Sequence, residues 1–184
     1  MDLRRRELLL AASAVVAAGA VAMPARAADA DTVVMTTKDG KITIALDPKL
    51  APNHVKQIET LVNQHFYDGI VFHRVIGGFM AQTGDPTGTG MGGSKLPDLK
   101  AEFTDTPFTR GTVGMARSSN PDSANSQFFI CLGDAPFLNG QYTVVGHVVS
   151  GMDVVDKIKK GASDDNGKVT NPDKIVTMRM ASAK

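Results

Sequence analysis

The sequence predicts a mainly β fold, a closed β-barrel accompanied by two helices in a single domain. Three observations support this. Short runs rich in Val, Ile, Thr and Phe recur with turn residues between them, the pattern of a domain built from hairpins. Only two stretches change from a period of two to helical spacing. Many short strands would also leave unpaired edges unless the sheet closed on itself.

The elements follow in order. TVVMTT and KITIAL, beginning at Thr32 and Lys41, are separated by Lys38-Asp39-Gly40, and Asp-Gly is a hairpin signal. Pro48 to Phe66 shifts to helical spacing: Leu50, His54, Ile58 and Leu61 recur on one face, Pro52 suits a first turn, and Asp47 is the expected cap. FHRVIGGFMAQTGD, Phe72 to Asp85, places two apolar runs around Gly77-Gly78 and predicts a second hairpin. Counting by twos puts Phe72, Arg74 and Ile76 on one face of its first strand. On the second strand, Phe79, Ala81 and Thr83 oppose Met80 and Gln82. An arginine among large apolar neighbours is the local conflict of this region.

Gly84 to Asp98 is loop by composition. Further strands are expected at Thr112–Ala116, Gln127–Leu132 and Tyr142–Val149. GMDVVDKIKKG, from Gly151, predicts a short helix with Met152, Val155 and Ile158 on one face and Gly161 as its end. DKIVTMRMAS closes the chain as a strand on which Ile175, Thr177 and Arg179 alternate with Val176, Met178 and Met180.

The 184 residues are 42% hydrophobic and 21% charged, ordinary for one globular domain. The first 27 differ: a basic start (Arg4, Arg5, Arg6), an apolar run from Leu8 to about Met23, and a small-residue cleavage pattern at Ala25-Arg26-Ala27. Residues 1–27 are therefore expected to be a cleavable export signal, and residues 28–184 the mature domain. The apolar run is short for a membrane span of roughly 20 residues, so no stable membrane anchor is expected after cleavage. Arg5-Arg6 ahead of Leu8 and Leu9 resembles a twin-arginine signal, although three adjacent arginines also suit ordinary secretion; the expected destination is the periplasm. Without residues 1–27 the formal charge is −1, against +1 for the whole chain, a balance with no electrostatic grip on nucleic acid. Cys131 has no second cysteine to pair with and, within SQFFICLG, reads as a small buried residue.

Several chemistries find no support. Gly88, Gly90 and Gly93 spell G-x-G-x-x-G, but Ser94-Lys95-Leu96-Pro97 does not open the helix a dinucleotide site needs, so the glycines read as turn formers. His54, His65, His73 and His147 show no metal-ligand spacing, and no G-x-S-x-G elbow is present. No metal and no cofactor are expected. What remains is Arg74 beside Phe79 and Met80, with Gln82, and with Gln127 and Phe129 on one face of a further strand. Either the apolar groups are core and Arg74 reaches out to water, or they form an apolar pocket rimmed by an arginine and two amides.

FHRVIGGFMAQTGDPTGTGMGGS, GTVGMARS and NSQFFICLGDAPFLNGQYTVVGHVVSGMDVVDKI, in this order, resemble the cyclophilin-type peptidyl-prolyl cis–trans isomerases. The likeness runs from about Thr32 to Met180, and the compact length with Phe137 and Tyr142 resembles bacterial periplasmic members. The resemblance implies a closed eight-stranded antiparallel barrel capped by two helices, with the active groove on its outer side. It implies that Arg74 is catalytic and that Gln82 positions both substrate and arginine. Phe79, Met80, Phe129 and Leu138 would surround a proline pocket, with Ala116, Arg117 and Gln127 along the substrate backbone. Phe137 stands where many eukaryotic members carry Trp, which implies weak cyclosporin binding. Tyr142 stands where they carry His and can donate a hydrogen bond as the His would. Arg117 replaces a usual Asn, and Gly77 a common Pro. The implied partners are proline-containing polypeptides, and the implied function is to accelerate rotation about X–Pro bonds during folding of exported proteins. A proline-binding module or holdase is the alternative, and a monomer is expected.

Overall fold

The computed structural model describes residues 31–181; the expected export segment, residues 1–27, lies outside the described residues. Eight strands form one antiparallel sheet: β1 (Thr32–Thr37), β2 (Gly40–Leu46), β3 (Arg74–Ile76), β4 (Met80–Thr83), β5 (Thr112–Met115), β6 (Phe128–Cys131), β7 (Val144–Ser150) and β8 (Thr177–Met180). Their order across the sheet is β3-β4-β6-β5-β7-β2-β1-β8. Two helices accompany them, α1 (Pro52–Asn63) and α2 (Met152–Lys157).

The expected closure does not occur. The sheet is open, a half-barrel whose edge strands β3 and β8 share no ladder. Residues 161–176 fill the seam with isolated antiparallel bridges: Val71 to Lys174, through Phe72 N–H to Asp173 O and Ile175 N–H to Ile70 O (2.8 Å each), and Arg74 to Lys168, through Val75 N–H to Gly167 O (2.7 Å) and Val169 N–H to His73 O (3.0 Å). The bridges do not join into a continuous ladder because Pro172 has no N–H to donate, and Asn166 and Asn171 take positive φ (49° and 50°), which breaks the pleat. The final strand is shortened for the same reason: Ile175 is buried in the seam, ahead of β8.

Local expectations also shift. The first hairpin turns on Lys38-Asp39, and Gly40 opens β2. The second turns on three residues, Gly77-Gly78-Phe79, with Gly78 at φ 74°. Counting by twos fails between Phe72 and Arg74, because β3 begins only at Arg74: Phe72 is fully buried in the inner core, whereas Arg74 is half-buried on the outer face. Asp47 does not cap α1; its carboxylate accepts from Lys49 N–H (3.0 Å). The helix N-terminus is met instead by Glu102, far along the chain, whose carboxylate accepts from Asn53 N–H and His54 N–H (3.2 Å each) and lies 2.6 Å from His54 Nδ1. His65, at φ 59°, follows the end of α1.

The strands β3 to β6 are covered on both faces. Inward, Val75, Ala81, Phe128, Ile130, Val113 and Met115 join the principal core with Tyr67, Phe72 and the buried face of α1. Outward, Met80, Phe129 and Cys131 form a second apolar cluster with Phe108, Ala135, Leu138 and Val144. Double coverage explains why β5 and β6 are buried at every position, where a sheet with one wet face would alternate. Full burial of each large side chain contributes about 1.5–3 kcal/mol.

Gly114 makes the outer cluster possible. A Cβ there would lie 2.6 Å from both Phe108 Cε1 and Phe129 Cζ, where the two rings now stack at 5.8 Å between centroids. Gly114→Ala is expected to cost about 1–3 kcal/mol through overpacking. The measurement is a urea midpoint that falls at unchanged slope; an unaltered midpoint would show that the rings do not need the space.

Candidate active site

Strand register assembles the site. Arg74 faces Gln82 across β3–β4, Gln82 faces Phe129 across β4–β6, and Phe129 faces Gly114 across β6–β5. Ile76, Met80 and Cys131 form the next row on the same outer face, two residues along each strand. Leu138, from the one-turn helix Pro136–Leu138, and Tyr142 close over this surface, and Ala116 borders it beyond the end of β5.

A pocket of ≈ 110 Å³ results, lined by Arg74, Phe79, Met80, Gln82, Ala116, Arg117, Phe129, Leu138 and Tyr142. Drug-sized ligand sites measure roughly 300–1,000 Å³, so this one suits a single small apolar group. Gln127 stands behind Gln82. Phe137 lies outside the pocket lining, 60% exposed, its ring 5.2 Å from that of Phe79. A wider cleft of ≈ 580 Å³ continues from the pocket through the shared Gln82, Ala116 and Arg117, bounded by Gly90 to Ser94, with Met91 on its rim.

Arg74 does not simply extend its charge into water. Its Nε donates to Asn166 O (3.0 Å), its Nη2 to Asn166 Oδ1 (2.9 Å) and its Nη1 to Gln82 Oε1 (3.3 Å). Burial lowers its pKa from the usual guanidinium value, with Tyr142 opposing, yet a guanidinium remains charged at neutral pH. Arg117 bonds Gln141 O through Nε and Nη2 (3.2 and 2.9 Å) and lies 4.4 Å from the centre of the Tyr142 ring, holding that ring by a cation–π contact.

A polar chain fixes the amides. Gln127 Nε2 donates to the carbonyls of Gly90 (3.0 Å) and Gly92 (2.8 Å), so its Oε1 is left to accept from Gln82 Nε2 (2.9 Å). Gln82 must then offer its own oxygen to Arg74. The glycine carbonyls are themselves anchored by the buried carboxylate of Asp85, which accepts the N–H groups of Thr87, Thr89, Gly90 and Gly92. Gly88 and Gly90 serve tight turns at positive φ (69° and 86°), whereas Gly93 takes no positive φ.

Sequence reasoning assembled the pocket but missed two contributors. Asn166 was visible as the Asn-Gly pair of a tight turn at 166–167, and Asp85 as an Asp followed by Gly, Thr and Pro turn residues. Neither signal reveals what the turn touches. Cys131 is buried below the pocket, and burial, with Asp134 adding, pushes its thiol up to about 12, so it is no nucleophile at neutral pH. Among the described residues no three His, Cys, Asp or Glu side chains group to hold a metal ion. The chemistry at hand is an apolar socket beside a fixed cationic donor.

The family model for cyclophilin-type peptidyl-prolyl cis–trans isomerase/CLD matches residues 32–180. A probable peptidyl-prolyl cis–trans isomerase of Brucella suis biovar 1 is 56% identical over 187 residues, covering 96% of this chain and 95% of that one. Peptidyl-prolyl cis–trans isomerase A of Dickeya dadantii is 42% identical, over 86% of this chain and 87% of its own. Among solved structures, the cyclophilin AquaCyp293 of Hirschia baltica superposes with a TM-score of 0.75 at 29% identity, covering 84% of this chain and 76% of that one. A Cryptosporidium parvum cyclophilin-type isomerase, crystallised in the presence of the dipeptide Ala-Pro, superposes with a TM-score of 0.74 at 29% identity, covering 82% and 99%.

Asp85 gives the anchoring loop a pH signature. Burial opposes its ionisation, but the donors from Thr87, Gly92 and Gly90 outweigh it and hold the pKa at about 2, below the ordinary 3.8. A depressed carboxylate stabilises fully above its unfolded pKa and loses that contribution as pH falls through the folded one, here between about pH 4 and pH 2, amounting to about 2 kcal/mol. Asp85→Asn is therefore expected to be less stable than wild type at pH 7 by that order. In thermal unfolding at pH 7, 4 and 2 the gap should narrow towards pH 2; a gap constant with pH would contradict the anchoring role.

Proposed function

Because the chain belongs to the cyclophilin-type peptidyl-prolyl cis–trans isomerases, we propose that Arg74 is the group through which it accelerates rotation about X–Pro bonds. The isomerase activity itself follows from the family and its relatives. The observation that carries the assignment of the site is a guanidinium fixed at the mouth of an apolar pocket of one-residue size.

Rotation about a peptide bond meets a barrier of roughly 18–20 kcal/mol because the nitrogen lone pair is delocalised into the carbonyl. Unaided X–Pro exchange takes tens to hundreds of seconds. A catalyst needs no nucleophile; it needs a donor aimed at the prolyl nitrogen, whose lone pair localises as the bond twists. Such a donor engages the twisted state more strongly than either planar isomer, and only that difference accelerates the reaction. Phe79, Met80, Phe129 and Leu138 would hold the proline ring while Arg74 supplies the donor and Gln82 orients it. Ala116, Arg117 and Gln127 would run along the substrate backbone, and the Tyr142 hydroxyl would donate to a substrate carbonyl. Phe137, beside Phe79, would meet residues outside the proline pocket. A proline-containing polypeptide is the substrate this arrangement fits.

Exchange of a short X–Pro peptide, followed by NMR, tests the assignment. Arg74→Ala is expected to lose turnover by about 10²–10³-fold, the scale of removing one transition-state donor. Arg74→Lys is expected to lose much of it as well, since a point ammonium lacks the fork. Near-normal turnover in Arg74→Lys would sink the mechanism.

The reading extends to the protein's place in the cell. The basic start, apolar run and Ala-Arg-Ala pattern support export to the periplasm, where a monomeric isomerase of this kind would assist exported polypeptides. Among the described residues no helix is long and apolar enough to cross a membrane. Sequencing the N-terminus of protein recovered from the periplasmic fraction is expected to begin at Ala28; an intact Met1 in the membrane fraction would instead indicate a retained anchor.

A further inference from the structure

We propose that Asn166 is a positioning residue for the isomerase reaction, a clamp on the Nε/Nη2 edge of Arg74 that leaves the remaining donors free for substrate. The proposal rests on the reading of Arg74 as the catalytic donor.

Asn166 and Gly167 are the central residues of a tight turn, closed by Lys168 N–H to Asp165 O at 2.9 Å. Both have positive φ, 49° and 77°, the combination for which Asn-Gly is the preferred pair. The turn is docked on the open edge of β3. Gly167 O accepts from Val75 N–H (2.7 Å), and Val75 O accepts from Gly161 N–H (2.9 Å). There is no slack in this docking: a Cβ on Gly167 would lie 2.4 Å from Ile76 Cγ1, and one on Gly161 2.0 Å from Gly167 O. The clamp and the arginine it grips are therefore registered on one strand, through the residue next to Arg74.

Arginine has five N–H donors. Asn166 takes two of them, through its backbone oxygen (3.0 Å) and its side-chain oxygen (2.9 Å), and Gln82 takes one on Nη1 at a longer 3.3 Å. The two that remain are on the terminal nitrogens, one each on Nη1 and Nη2. Without the Asn166 side chain, the guanidinium would keep the backbone oxygen on Nε but could swing its terminal nitrogens, with only the longer Gln82 contact to restrain them. Asn166 is itself exposed and belongs to neither apolar cluster, so its side chain is not needed for core packing. A defect on removing it would be one of aim.

Asn166→Gly tests this, because glycine accepts the positive φ and keeps the backbone oxygen on Nε while deleting only the side-chain acceptor. Turnover of a short X–Pro peptide is read by NMR exchange, affinity by titration of the same peptide, and folding by thermal unfolding. The expected result is turnover about three- to tenfold lower, peptide affinity within twofold of wild type and an unchanged melting temperature, with Asn166→Asp, which keeps an acceptor oxygen, restoring most of the rate. In an Arg74→Lys background the glycine substitution is expected to have no further effect, since the clamped fork is already gone. Turnover within twofold of wild type in Asn166→Gly overturns the clamp, as does a loss of equal size in the Arg74→Lys background. If Asn166→Gly failed to fold, Asn166→Asp with the turnover of Arg74→Ala would overturn it too. A wild type whose rate does not depend on Arg74 would remove the underlying reading instead, so the two failures are distinguishable.

Discussion

A guanidinium held half out of water against an apolar pocket must have its donors met, and that demand organises this end of the molecule. Burial alone would favour withdrawing the charge from Arg74 or turning its head outward. Instead Asn166 and Gln82 supply oxygens at 2.9 to 3.3 Å, and each of these is tied back to rigid backbone. On one side the tie is a turn docked on the strand that carries Arg74 itself. On the other it runs through Gln127 to two glycine carbonyls and ends on the Asp85 carboxylate. The arginine's aim is therefore set by backbone geometry at both ends.

The same economy governs the apolar side. A single sheet covers two cores because the alternation of its strands sends Val75, Ala81, Phe128 and Ile130 inward and Met80, Phe129 and Cys131 outward. The row of Arg74, Gln82 and Phe129 is thus one register step from the fold's deepest packing, and Phe129 cannot shift without disturbing its strand. Gly114 gives the outer rings their space. The open seam between β3 and β8 contributes too: irregular segments can deliver a turn to an unpaired edge, whereas a closed ladder would leave β3 no free backbone to dock Asn166.

Much of this was legible beforehand for local reasons. Alternation from Thr32 to Leu46 and around Gly77-Gly78 marked hairpins, and helical spacing between Pro48 and Phe66 marked α1, which is shorter at both ends (Pro52–Asn63), because both signals depend on neighbours within a few residues. The pocket residues were legible through family motifs, and nine of them come together at one cavity: Arg74, Met80, Gln82 and Phe129 on paired strands, the others in the turns and loops beside them. The face of Phe72 was misjudged because the strand begins only after His73, and no local signal reports where a pleat starts. Asp47 carries the local signal of a cap, while the actual partner of the helix start, Glu102, approaches from 49 residues away.

By itself the sequence determined the element types, the family and the identity of the pocket residues, since these depend on periodicity, turn chemistry and motif. Only the tertiary structure decided that the sheet stays open, that Glu102 caps α1, and that Asn166, 92 residues from Arg74, holds its guanidinium. The physical reason is common to all three. Each depends on an isolated turn or side chain meeting a distant backbone, and such contacts are set by how the whole chain packs, which leaves no period in the sequence to read.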